Sequence, residues 1–241
     1  MFRTRSGRSN LVSVARRRLD LRPVFLILGA LGCAAAPRGE TVSTGESDAE
    51  ASSAQVRSYL EPNYGATRYA HVTEADMPWR VAIGYPRTSP RYDSRQHARR
   101  AAVEGMRLWE TAIREHVPWF ELEFVIEDPE APVQIEWKRR MTGSAQGRAG
   151  YRCEQVGLGR RIVGHMEIAI RSAPTSQPLS VPEIRLLVAH EFGHVLGLGH
   201  CLACDSAMNY AWHTQERVLV TEADVVTFRD LLARPDACRS G

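Results

Sequence analysis

One stretch constrains this chain more than any other: His190-Glu191-Phe192-Gly193-His194-Val195-Leu196-Gly197-Leu198-Gly199-His200. On an α-helix each residue advances about 100°, so His190 and His194 stand about 40° apart on one face. Two imidazoles so placed can meet one Zn2+ at the usual Zn–N distance of about 2.0–2.1 Å. Glu191, directly after the first histidine, reaches a water on the metal without coordinating it. Gly197 lets the helix end in a left-handed turn, which folds the chain back so that His200 supplies a third ligand. Three histidines leave a coordination position open, as in catalytic rather than structural zinc sites. The competing reading, a core helix with incidental histidines, needs three His, the Glu and the Gly to coincide.

The elements around this motif are legible from caps and periodicity. Ser180-Val181-Pro182-Glu183 is a capping box with Pro in the first turn, and Leu186, Leu187 and Val188 carry an apolar run into His190. Upstream, Val81 to Tyr85 reads as a first strand. Asp93 or Ser94 caps a helix to about His116, with Ala98, Ala102, Met106, Trp109 and Ile113 on one apolar stripe. Leu122, Phe124 and Ile126 alternate with Glu121, Glu123 and Glu127, the pattern of a half-buried strand. Val133–Trp137 and Met166–Ile170 are two more short strands, separated by a Gly- and Arg-rich loop over 139–164. Thr221-Glu222-Ala223-Asp224 opens a last helix with Val225, Phe228, Leu231 and Leu232 inward. Strand, helix, three strands and two helices make one α+β domain.

The zinc motif resembles the metzincin signature, and Cys204-Asp205-Ser206-Ala207-Met208-Asn209-Tyr210 resembles the Met-containing turn that metzincins place beneath the metal. The wider layout over 78–232 is similar to the matrixins: a first strand, a long helix containing Trp109, an edge strand at 165–170, then the zinc helix. This resemblance implies a single catalytic domain with a mixed twisted sheet, an antiparallel edge strand, a zinc helix and a C-terminal helix. It implies an endopeptidase with one catalytic Zn2+ on His190, His194 and His200, Glu191 as the base, Met208 as the Met-turn residue, and substrate added as a strand along His165–Ile170. Calcium is left open.

Two departures qualify the resemblance. Matrixins carry Pro two residues after the Met, where this chain has Tyr210. A Met-x-Tyr spacing is similar to astacins and serralysins, whose Tyr ligates zinc or stabilises the transition state. Tyr210 does one of these or packs as an aromatic under the site. No Pro-Arg-Cys-Gly segment lies upstream, so latency of the cysteine-switch kind is not supported. Archaemetzincins also place Cys after the last His, but their later Cys-x-x-Cys pair is missing. Structural disulfides among Cys153, Cys201, Cys204 and Cys238 are therefore the better reading, and four cysteines allow three pairings. Bonds from Cys201 and Cys204 to Cys153 and Cys238 would pin the zinc loop to the 139–164 loop and the C-terminus.

Residues 1–33 combine seven Arg with the apolar run Val24–Leu31, which reads as a secretion signal and is too short for a comfortable transmembrane helix. Ala30-Leu31-Gly32-Cys33 resembles a bacterial lipoprotein box, with Ala30 where Leu is usual; Ala34-Ala35-Ala36 offers an ordinary cleavage site instead. Lipidation of Cys33 leaves an even four cysteines for an oxidising compartment. Residues 34–75 read as a flexible tether and approach, because they hold few large apolar side chains, and 76–241 as the catalytic domain. The net charge of +3 comes from the leader: the remainder holds 24 basic and 27 acidic residues, a net of −3. That balance argues against nucleic acid as a partner.

The expectation is thus an exported, envelope-anchored monomer that cleaves polypeptides and meets the membrane only through a lipid. Two rivals remain at this stage: a tethered binding protein on a metzincin scaffold, and a zinc amidase acting on cell-wall peptides. The basic residues Lys138, Arg139, Arg140, Arg148, Arg152, Arg160 and Arg161 either favour acidic substrates or envelope polymers, or are a solvated set paired with Glu. His71, His97, His116, His165 and His213 read as surface or satisfied polar residues.

Overall fold

Alternation in the strands and a stripe on the long helix resolve into a sheet with one apolar and one polar face. The structure, a computed structural model, describes residues 58–60, 69–87, 92–143, 145–157, 159–172, 175–202, 204–209 and 220–238. In chain order the elements are β1 (Trp79–Ile83), α1 (Tyr92–Arg114), β2 (Leu122–Val125), β3 (Val133–Lys138), β4 (Gly147–Val156), β5 (Gly159–Ala169), α2 (Val181–Val195) and α3 (Glu222–Leu232). The sheet runs β2-β1-β3-β5-β4, parallel except for β4, which pairs antiparallel with β5. This is the α+β fold expected for the domain, a mixed sheet with an antiparallel edge strand, the helix α2 that carries the histidines, and a C-terminal helix.

Register puts the apolar side chains on one face. Val81 pairs with Val133, Ile83 with Ile135, Ile135 with Met166 and Met166 with Ala149, while Gln134, Glu136, His165, Glu167 and Arg148 occupy the intervening positions on the other face. The apolar face meets α1 and α2 in one core, whose largest fully buried side chains include Trp79, Trp109, Phe120, Phe192 and Phe228. Burying each such ring contributes roughly 1.5–3 kcal/mol. The α1 stripe is buried as its spacing predicts, Ala98 through Ile113. Trp109 ties the helices together, its indole Nε1–H donating to the Ala189 carbonyl at 2.7 Å.

Three expectations give way. Residues 165–170 are not an edge strand: they lie mostly in β5, bonded to β3 on one side and β4 on the other. The stretch read as a loop over 139–164 instead holds β4 and most of β5, a long hairpin turning at Val156–Gly159, and β4 is the edge on this side, with β2 at the other. Ile126 lies just past the end of β2 and is 52% exposed. Residues before Asp76 also pack on this body. Tyr59 donates its backbone N–H to Thr227 Oγ1 and its hydroxyl to Asp224 on α3, and Ala70 and Val72 join the core. Among the described residues, no helix is long and apolar enough to cross a membrane.

Two of the three sequence-marked helix starts have the caps read for them, while α1 begins at Tyr92, so Asp93 and Ser94 lie inside its first turn instead of capping it. The Ser180 N–H donates to Glu183 Oε2 at 2.6 Å while its hydroxyl accepts from the Glu183 N–H. The Thr221 N–H donates to Asp224 Oδ2 at 2.7 Å. Of the three pairings open to the cysteines, the structure has Cys153–Cys238 and Cys201–Cys204. The first joins β4 to the segment after α3, and the second closes a short loop behind His200.

Candidate active site

The site is built at the C-terminal end of α2. Ridged against α1 and the sheet, this helix is buried from Leu186 through Val195, so His190, Glu191 and His194 are carried inside at 4–6% exposure. Gly197, at φ +93°, then reverses the chain, a conformation that costs a residue with a Cβ. Two bonds close the reversal: the Gly197 N–H donates to the His194 carbonyl and the Leu198 N–H to the Gly193 carbonyl, both 3.0 Å. This is a Schellman turn, and it delivers half-buried His200 to the two helical histidines.

The three imidazoles converge through one atom each. Nε2 of His190, His194 and His200 lie 3.2–3.3 Å from one another. The far nitrogens of the helical pair face backbone carbonyls, His190 Nδ1 to Ala207 and His194 Nδ1 to Leu198, both at 2.8 Å. A carbonyl only accepts, so each Nδ1 carries the proton and each Nε2 presents its lone pair. Burial, and for His190 the neighbouring His194, pushes the two rings down to about 3 and about 4, so both are neutral. The donors fit a zinc ion: the centre of such a triangle is about 1.9 Å from each nitrogen, against a Zn–N distance of about 2.0–2.1 Å.

Met208 forms the floor. It is fully buried, and a Cβ on Gly193 would run into its sulfur and approach Trp109 to 2.8 Å, so the helix passes over the methionine only because that position is bare. The Met208 carbonyl accepts from the Cys201 N–H at 2.9 Å, and Asn209 Nδ2 donates to the Cys204 carbonyl at 2.6 Å. The turn that presents the Ala207 carbonyl to His190 is thereby fastened to the loop that follows His200. Glu191 is buried too, and burial raises its carboxyl to about 8 while Arg148 pulls the other way.

Of the residues singled out in sequence, His190, Glu191, His194, His200 and Met208 are brought together. Tyr210, Cys33 and His213 lie outside the described residues. The remaining histidines stand apart: His71 bonds the Val72 and Arg234 carbonyls, His97 and His116 are exposed, and His165 sits with Glu136 and Glu167 on the polar sheet face. The basic residues are largely paired: Lys138 with Glu136 and Glu167, Arg148 with Glu167, Arg152 and Arg161 with Glu154. Sequence reading missed the carbonyls of Ala207 and Leu198, which leave no mark in side-chain pattern, and Gly147 on β4, whose Cβ position falls on Glu191.

In comparison with known proteins, the family model described as Matrixin aligns with residues 75–233. No curated protein matches the chain. The matched span holds all three histidines, the Schellman turn and the Met208 turn.

Proposed function

Because the chain belongs to the matrixin family of zinc-dependent metallopeptidases, we propose that it is an endopeptidase whose zinc is held by His190, His194 and His200, with Glu191 as general base. The observation that carries this reading is the convergence of three imidazole Nε2 atoms, two of them from the buried helix that also carries the Glu191 carboxyl. Zinc, when bound, supplies Lewis-acid polarisation of the scissile carbonyl and a water of lowered pKa, near 7. Glu191 takes the proton of the attacking water and passes it to the leaving amine, a role suited to a carboxyl that burial raises toward neutrality. Tyr210, two residues past Met208, is the candidate donor to the developing oxyanion.

Substrate adds as an extended strand beside β4, the edge of the sheet, rather than beside 165–170. Residues 1–33 serve export and Cys33 is the lipid attachment site; the support is the composition of that segment, and loss of membrane association in Cys33→Ser checks it. The domain that does the chemistry includes Tyr59, Ala70 and Val72 from the 34–75 stretch as well as the residues from Asp76 onward.

Glu191→Gln tests the chemistry. It should keep one zinc per chain while kcat on a peptide library falls by roughly 10²–10⁴. Full cleavage by that variant sinks the mechanism. No cleavage by the zinc-loaded wild type points instead to a binding protein on the same scaffold.

A further inference from the structure

The edge strand and the base meet at a single residue. Along β4, Gly147, Ala149 and Tyr151 share the face turned toward α2: Ala149 and Tyr151 pack on the core, and the Tyr151 ring lies 3.5 Å from the Cβ position of Gly197. Gly147 belongs to this row and lies over Glu191. A Cβ there would stand 2.7 Å from both Cγ and Cδ of Glu191 and closer still to Oε1. No other side chain is among its three nearest neighbours. The backbone of β4 thus presses directly on the base and closes its side toward the sheet, leaving Glu191 6% exposed.

We propose that Gly147 is a positioning residue for Glu191: the bare strand backbone at 147 forms the wall against which the carboxylate is set. A side chain there must either lift β4 or swing the carboxylate away, and a displacement of about 1 Å in a reacting group can cost a hundredfold in rate. The requirement is local, because the nearest atom to the Cβ position of Gly159 in the same hairpin is the Val156 carbonyl oxygen at 3.9 Å, an ordinary contact. The inference rests on Glu191 being the base only for its kinetic consequence; the contact itself is independent of that reading.

The test is a double-mutant cycle in the full-length chain with Gly147→Ala, Glu191→Ala and the pair, Gly159→Ala serving as the control for a glycine-to-alanine change. In the wild-type background Gly147→Ala should lower the melting temperature beyond the control. Where Glu191 swings aside instead, kcat per bound zinc should fall between about tenfold and a hundredfold with KM unchanged. With Glu191→Ala present, the excess loss of melting temperature should vanish, because the atoms that the new methyl meets are gone. If Gly147→Ala does not fold, folding of the double variant supports the inference and its failure to fold overturns it. The inference is also overturned if Gly147→Ala matches the control in both melting temperature and kcat, or if the excess persists without the Glu191 side chain. None of these stability outcomes depends on cleavage, so they separate from a failure of Glu191→Gln to abolish activity.

Discussion

Among the described residues, two clusters hold three metal-capable side chains within 4.8 Å of one another: His190, His194 and His200 at the end of α2, and Glu136, His165 and Glu167 on the polar face of β3 and β5. Proximity is the same, yet the chemistry differs. Two of the histidines, His190 and His194, are buried, neutral and oriented by backbone carbonyls, so their Nε2 lone pairs are aimed at one point. The second cluster is open to solvent and already has its cation. Lys138 Nζ lies 2.5 Å from Glu136 and 3.1 Å from Glu167, with Arg148 3.8 Å from Glu167. Distance alone therefore does not make a metal centre; orientation and burial of the donors do.

Variants can break this contrast. The largest effect is expected from His190→Ala, which should remove stoichiometric zinc and lower peptide cleavage roughly a thousandfold, as losing about 4 kcal/mol of Lewis-acid stabilisation would. Glu136→Gln with Glu167→Gln should keep one zinc per chain by elemental analysis and leave cleavage intact; loss of zinc there would erase the distinction. Next comes Gly197→Ala, which puts a Cβ at a left-handed position and against Leu231. Disturbing the turn moves the Leu198 carbonyl from His194, so zinc affinity measured against a competing chelator should weaken about 10–100-fold. Unchanged affinity would mean that carbonyl orientation is not what sets the triad apart. The smallest effect is expected from Lys138→Met. It should leave melting temperature and zinc stoichiometry as they are, whereas a second equivalent of bound zinc would show that only the lysine keeps the exposed cluster metal-free.

The same contrast marks how far the chain could be read before folding. The triad was legible because its spacing is helical, its helix opens on Ser180 and Glu183, and Gly197 announces the reversal. The edge strand was not. Its inward positions are Gly147, Ala149 and Tyr151, and its outward ones include Arg148 and Arg152, so the small residues supply little apolar alternation and the stretch looks like a loop. They are small because α2 comes close, a fact about a helix more than thirty residues away in the chain. The docking of Tyr59 on α3 was hidden for a similar reason, since its partners Asp224 and Thr227 lie far along the chain.

What the sequence by itself determined is the set of three histidines, the glutamate beside the first of them, the helix that carries His190, Glu191 and His194, and the family they resemble, because these depend on residue types at fixed local spacing. Tertiary structure alone decided which strand is the edge, which cysteines join, and which carbonyls aim the imidazoles. It also decided that Glu191 rests against the bare backbone of Gly147. Each of those outcomes is a contact between segments distant in the chain, made largely by backbone atoms or by the absence of a side chain, and neither writes a periodicity that can be read in advance.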